Sequence, residues 1–189
     1  EVGARLVFVR GTARDDPQVA AASAEAVATA LAGDPLVQVA VGPAGVHSDP
    51  PETFALLSEV AERHGLCRRT QANEQVDVEV AAQRYHRRPL DLLAEWGWLA
   101  PDVTLAHLCG ITGEELARVA ASGASVTHAP GCDLPMGWGV APMAALADAG
   151  VAVGLGTSGG GSNDAGHLLA DARLAMQVAP LAGRPVAAR

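Results

Sequence analysis

The spacing of apolar positions along this chain marks out short strands separated by helical stretches. Three apolar runs are clearest in the second half, Val103–His107, Ala124–His128 and Val151–Leu155, each bounded by glycine or polar turn residues. Between them, Gly113 to Ala121 reads as a helix with Glu114 and Glu115 in its first turn. Pro142 to Ala149 reads as another, with proline suited to a first helical position and Gly150 to the stop. Arg5–Arg10 and Leu36–Val41 predict two earlier strands and Leu66–Thr70 a weaker third. Helices are expected near Gln18–Leu31, Pro51–His64, Val76–Tyr85 and Leu90–Trp96. This alternation predicts an α/β fold with a parallel sheet. About six βα units emerge, where a closed barrel of this kind has eight in about 250 residues. The expectation is therefore a partial (β/α)8 TIM-type barrel, its first two units absent, forming a single domain over residues 1–189. Active groups of such barrels gather at the strand C-termini, so His107 and His128 are expected on that face.

Composition narrows the possible partners. With 189 residues, 49% hydrophobic and 18% charged, the chain can bury a sizeable core, and at 3% aromatic that core must be built from alanine, valine and leucine. A formal charge of −8 without a basic patch argues against nucleic acid and anionic membrane as partners. No apolar run approaches the ~18 residues of a membrane span. Cys67, Cys109 and Cys132 follow no disulfide spacing, which points to reduced thiols and a cytoplasmic location. The chain starts at Glu1 with neither methionine nor a signal-like segment, as a processed or trimmed chain would.

Several segments then resemble a known family. Arg88-Pro89-Leu90-Asp91-Leu92-Leu93, Gly97 through Val103, Ala106-His107, Gly139-Val140-Ala141-Pro142 and Gly154 through Asp164 look like the amidohydrolase superfamily. The branch they resemble holds 8-oxoguanine deaminase, cytosine and guanine deaminase-like proteins and triazine chlorohydrolases. The likeness runs from about Gly3 onward. It implies a barrel carrying one zinc or iron ion, which lowers the pKa of water from about 15.7 to about 7 and so supplies hydroxide to an amidine-like carbon, releasing ammonia.

The resemblance also implies where the ligands should be. The His-x-His pair of the family's first strand would lie upstream of Glu1, and no His-x-His occurs in the sequence. Laying the fifth-strand His-Leu-Ala-Glu on Thr70-Gln71-Ala72-Asn73 puts Thr70 at the ligand position and Asn73 at the acid/base position. The eighth-strand aspartate falls at Ser158. Neutral hydroxyls and amides are poor zinc ligands, and Asn73 cannot shuttle a proton. Loss of the usual metal site is therefore expected, and with it loss of metal-dependent deamination. His107 matches the histidine that polarises the substrate.

On this reading the candidate catalytic residues are His107, Asp133 and Asp164, and the candidate ligand-contacting residues are His128, Met136, Trp138, Thr70, Asn73 and Ser158, with no metal ligand among them. Histidines in a polar barrel mouth also serve purely structural ends. An alternative zinc set, His107, Cys109, His128 and Cys132, sits at adjacent strand ends, although its spacing matches no standard pattern. The glycine-rich run Gly154–Ser162 lacks the Lys-Ser/Thr ending of a phosphate loop. It is better read as the loop after the last strand, with Asn163 and Asp164 holding the turn and capping the next helix. The loop Gly131–Gly139, with Met136 and Trp138, suggests a rather apolar small-molecule ligand.

Six open parallel strands leave two unpaired edges. Homo-oligomerisation or a missing barrel segment would cover them. Three functional readings follow: a degenerate member acting in binding or assembly, a metal-independent enzyme using His107, and a C–N hydrolase completed by residues from elsewhere.

Overall fold

A computed structural model describes residues 3–182. Six strands form one sheet: β1 (Leu6–Thr12), β2 (Val37–Pro43), β3 (Cys67–Ala72), β4 (Val103–His107), β5 (Ser125–His128) and β6 (Val153–Leu155). They lie side by side in chain order, and every neighbouring pair is parallel. Sequential parallel order with a helix in each crossover is the arrangement of a barrel wall, here open between β1 and β6. The expected α/β partial barrel is what forms, with strand boundaries a few residues from those predicted.

Helices α1 (Pro17–Ala30), α2 (Pro51–His64), α3 (Gln75–Tyr85), α4 (Pro89–Glu95), α5 (Gly113–Ser122), α6 (Pro130–Asp133) and α7 (Met143–Asp148) occupy the connections, and α8 (Leu168–Val178) follows β6. Local chemistry sets their ends. Asp16 caps α1 by accepting from the backbone of Gln18 and Val19, and Thr112 with Glu115 forms a reciprocal capping box on α5. Pro142 stands one residue before α7 rather than inside it. The sequence pattern missed α6, and for α8 it gave a helix after the glycine-rich loop without its bounds. The first is a single turn, too short for periodicity, and the second follows a glycine-rich stretch.

The core lies between the sheet and the helices. Phe54, Leu57, Leu90, Leu93, Trp98, Val103, Leu105, Val119, Val126 and Leu146 are buried there in one cluster. Trp98 meets Phe54 edge-on at 5.1 Å, donates its indole N–H to the Phe54 carbonyl at 3.1 Å, and lies 5.1 Å beneath the Arg68 guanidinium. That contact fixes which way β3 faces. Arg68 and, by alternation, Thr70 look toward the helices, while Arg69 and Gln71 look the other way. The outer strand β1 leaves Leu6, Val7 and Phe8 about half exposed, an apolar edge suited to pairing with further sheet. Among the described residues no helix is long and apolar enough to cross a membrane.

Candidate functional site

The C-terminal ends of β3, β4 and β5 bring together a buried polar group. At the end of β4, His107 and Leu108 both adopt left-handed backbone conformations, with φ of 76° and 56°. Asn73 after β3 does so too, at 54°. Such conformations cost of order 1–3 kcal/mol each in non-glycine residues and persist only where surrounding contacts enforce them. Here they break the strand alternation and turn the backbone at the rim.

His107 is 2% exposed and stands at the centre. Its Nδ1 donates to Asp133 Oδ1 at 2.6 Å, so Nε2 is left facing Gln71 Nε2 and Glu74 Oε1, each at 3.4 Å. Trp138 closes one side, its ring edge-on to the imidazole at 5.2 Å. The second oxygen of Asp133 lies 3.2 Å from His128 Nδ1. Burial raises the Asp133 carboxyl, but hydrogen bonds from His107 and His128 outweigh it and hold the group below its usual range. Glu74 is the opposite case. Burial dominates, the attraction of His107 and His47 only partly offsets it, and its pKa is pushed up to about 7. Beyond Glu74 stands His47, 4.0 Å away and anchored by Asp77 at 3.1 Å, a bond that raises its pKa despite partial burial.

Glu74, Gln71 and His47 are absent from the residues expected from sequence. Strand alternation turns Gln71, not Thr70, toward His107, and the left-handed backbone of Asn73 past the strand end brings Glu74 there. Thr70 is fully buried on the helix side of β3. Asn73 turns away from His107, donating its side-chain amide to Glu115 and its backbone N–H to Asp77, each at 3.0 Å. Set on Gln71-Ala72-Asn73-Glu74, the fifth-strand His-Leu-Ala-Glu motif places glutamine at the ligand position and keeps a glutamate at the acid/base position. His47 carried no sequence signal, since it had the look of a loop histidine.

Other expected residues separate from the cluster. Asp164 and Ser158 lie exposed on the loop after β6 and make none of its contacts. Met136 is 49% exposed, so the apolar loop tip faces outward while Trp138 faces His107. Asn163 does not cap α8, whose N-terminus is capped by His167. It bonds instead to the Thr157 carbonyl and to Asp171, each at 2.9 Å. Asp171 also accepts from the Gly131 N–H at 2.8 Å, pinning the turn that carries Cys132 and Asp133. A Cβ at Gly131 would sit 2.5 Å from both Asn163 Nδ2 and Asp171 Oδ1. Gly131→Ala should therefore cost about 1–3 kcal/mol in urea unfolding, as overpacking does. An unchanged midpoint would show that this pin is not structural.

The donor chemistry can be set against the metal that the family uses. Gln71 offers an amide and Ser158 a hydroxyl, which do not fit the imidazole and carboxylate positions of the inherited centre. The four-residue zinc set is likewise not assembled. Burial pushes the Cys109 thiol strongly up, its Sγ faces the His107 carbonyl at 3.9 Å, and the compact donor group is His107, Cys132 and Asp133. The three cysteines form no disulfide.

The chain is 36% identical over 141 residues to 8-oxoguanine deaminase of Pseudomonas aeruginosa, which is 74% of this chain and 31% of that protein. It is 36% identical over 138 residues to hydroxydechloroatrazine ethylaminohydrolase of Pseudomonas sp. strain ADP, 73% of this chain and 28% of that one. Atrazine chlorohydrolase from Arthrobacter aurescens TC1, solved in complex with zinc, superposes with a TM-score of 0.86 at 30% identity, covering 98% of this chain and 44% of that structure. An adenosine deaminase from Xanthomonas campestris with bound zinc shares the fold at a TM-score of 0.91 and 22% identity. The chain thus spans about a third of the length of the curated relatives it matches and under half of the solved structures. Residues 2–187 match the amidohydrolase family. The chain belongs to that family and is related to its nucleobase and triazine deaminases and hydrolases.

Proposed function

We propose that this chain binds a small, flat nitrogen heterocycle of the 8-oxoguanine or atrazine type and does not carry out metal-dependent C–N hydrolysis on it. One observation carries the reading: Gln71, at the ligand position of β3, spends its amide on His107 at 3.4 Å, and an amide does not replace an imidazole on zinc. Ser158 in place of the β6 aspartate points the same way. Glu74, His107 and Asp133 remain as hydrogen-bonding groups suited to the N–H and C=O edge of such a ring, and Trp138 supplies an apolar wall.

A second reading has its own support. Glu74, with a pKa about 7, stands 3.4 Å from an imidazole held by Asp133, and a carboxyl poised near neutrality suits general acid/base chemistry without a metal.

The test is equilibrium dialysis of 8-oxoguanine and atrazine against the protein, with ammonia and chloride release followed with and without added zinc. Binding without release supports the first reading. Zinc-dependent release overturns it, and zinc-independent release that disappears in His107→Ala replaces it with the second. Absence of binding to either ring overturns both.

A further inference from the structure

We propose that His107, Cys132 and Asp133 form a binding site for one thiophilic divalent cation of the zinc class, with a donor set different from that of the inherited centre. The inference goes beyond the functional reading above and does not rest on it.

Three observations carry it. One donor atom from each of these residues lies within 4.8 Å of the others, and all three residues are buried. Imidazole, thiolate and carboxylate are the donor types that zinc takes, and a three-residue set leaves a fourth position open. Around them, Glu74 Oε1 is buried without a hydrogen-bond partner, and the buried Asp133 Oδ2 and His128 Nδ1 have each other at 3.2 Å and no further hydrogen bond among the described residues. Their residues are 1%, 0% and 3% exposed, so the bulk solvent does not reach them. The local charge is also uncompensated. Glu74 and Asp133 put two carboxylates in the interior, and their recorded ion contacts among the described residues are to histidines alone. Buried anions call for a proton or a cation, and a divalent ion at this position would answer both carboxylates.

The scaffold holds the donors in place. Cys132 and Asp133 are consecutive on α6, and both backbone N–H groups bond to the Ala129 carbonyl at 2.9 Å. Asp171 anchors the same turn through Gly131. His128 touches the second Asp133 oxygen, the kind of outer contact that orients a ligating carboxylate. These donors stand at the ends of β4 and β5, whereas the inherited positions, Gln71 and Ser158, belong to β3 and the loop after β6. The mixed donor set favours zinc, cobalt(II) or cadmium over magnesium and calcium, because thiolate and imidazole are poor partners for hard cations.

The experiment is a titration of chelator-treated protein with cobalt(II) and zinc, read by elemental stoichiometry and by the thiolate-to-cobalt charge-transfer absorption. One ion per chain is expected, with that absorption present. Cys132→Ser should abolish the band and weaken zinc binding by more than the roughly 10- to 100-fold lost when an outer contact is removed. Cys109→Ser should leave both unchanged, and Asp133→Asn provides a second, near-isosteric ligand variant. Absence of stoichiometric uptake by folded wild-type protein overturns the proposal, as does a band that survives Cys132→Ser or vanishes in Cys109→Ser. Uptake without ammonia release leaves both this site and the functional reading standing. Uptake with zinc-dependent release keeps the site and overturns the functional reading.

Discussion

Replacing Glu74 with glutamine is expected to stabilise the metal-free protein by about 3 kcal/mol at pH 8 and to change it little near pH 4.5. The carboxyl is 1% exposed, and burial raises its pKa to about 7. In the unfolded chain it ionises near pH 4.3. Between those values the unfolded state releases a proton that the folded state keeps, so this group lowers stability as pH rises from about 4.3 to about 7, and the loss is complete above that. Glutamine removes the titration while keeping size and hydrogen-bonding capacity. The difference between variant and wild type should therefore grow across this window and then level off. Urea unfolding at a series of pH values, with a chelator present throughout, measures it. A difference that is flat between pH 5 and 8 would mean that Glu74 is far less perturbed than its surroundings imply. The same burial that weakens the fold at neutral pH is what leaves a protonatable group beside His107.

The second large effect is expected at Glu115, well away from the chemistry. Its carboxylate, 4% exposed, receives the Arg88 guanidinium at 2.7 and 2.9 Å, the Asn73 amide at 3.0 Å and the Thr112 N–H at 2.9 Å. Burial alone would raise its pKa, yet the bond to Arg88, reinforced by Thr112 and Asn73, brings it below the usual value. Glu115→Ala removes the Glu115 half of the α5 capping box, leaves the Asn73 amide buried without that partner and frees Arg88. Loss of one member of a buried pair costs roughly 3–5 kcal/mol, and because Arg88 is partly exposed the lower end, about 3 kcal/mol, is expected. Asn73 holds a left-handed backbone immediately before Glu74, so the variant should also disturb the site. A double-mutant cycle with Arg88→Ala would separate the ion pair from the remaining contacts. A Glu115→Ala variant with unchanged unfolding would show that this network is a surface convenience and not a support.

How far the sequence could be read depended on the kind of information each element carries. Val103–His107 announced itself because a short apolar run between turn residues has few other solutions, and the alternation of such runs with helices implied parallel pairing. Helix α6 could not be seen, since four residues hold no period. Asp133 was selected from a loop whose other tip residue, Met136, proved to face outward. Asp164, from the separate loop after the last strand, lies exposed, because proximity along the chain says nothing about which loop residues the fold turns inward.

What the sequence determined by itself was the repeating βα order, the parallel sheet and the family. These follow from hydrophobic periodicity and from motif order, which are properties of neighbours along the chain. Only the tertiary structure decided that Glu74 and Gln71, and not Asn73 and Thr70, share a space with His107. For Gln71 and Thr70 strand alternation decides, with Arg68 stacked over Trp98 setting which set looks toward the helices, while Asn73 and Glu74 lie past the end of β3, where the left-handed backbone of Asn73 breaks the alternation. The meeting of His107, Cys132 and Asp133 was decided in the same way. It requires the ends of two strands and a helical turn pinned from α8, contacts between residues as far as 40 positions apart that no local pattern encodes.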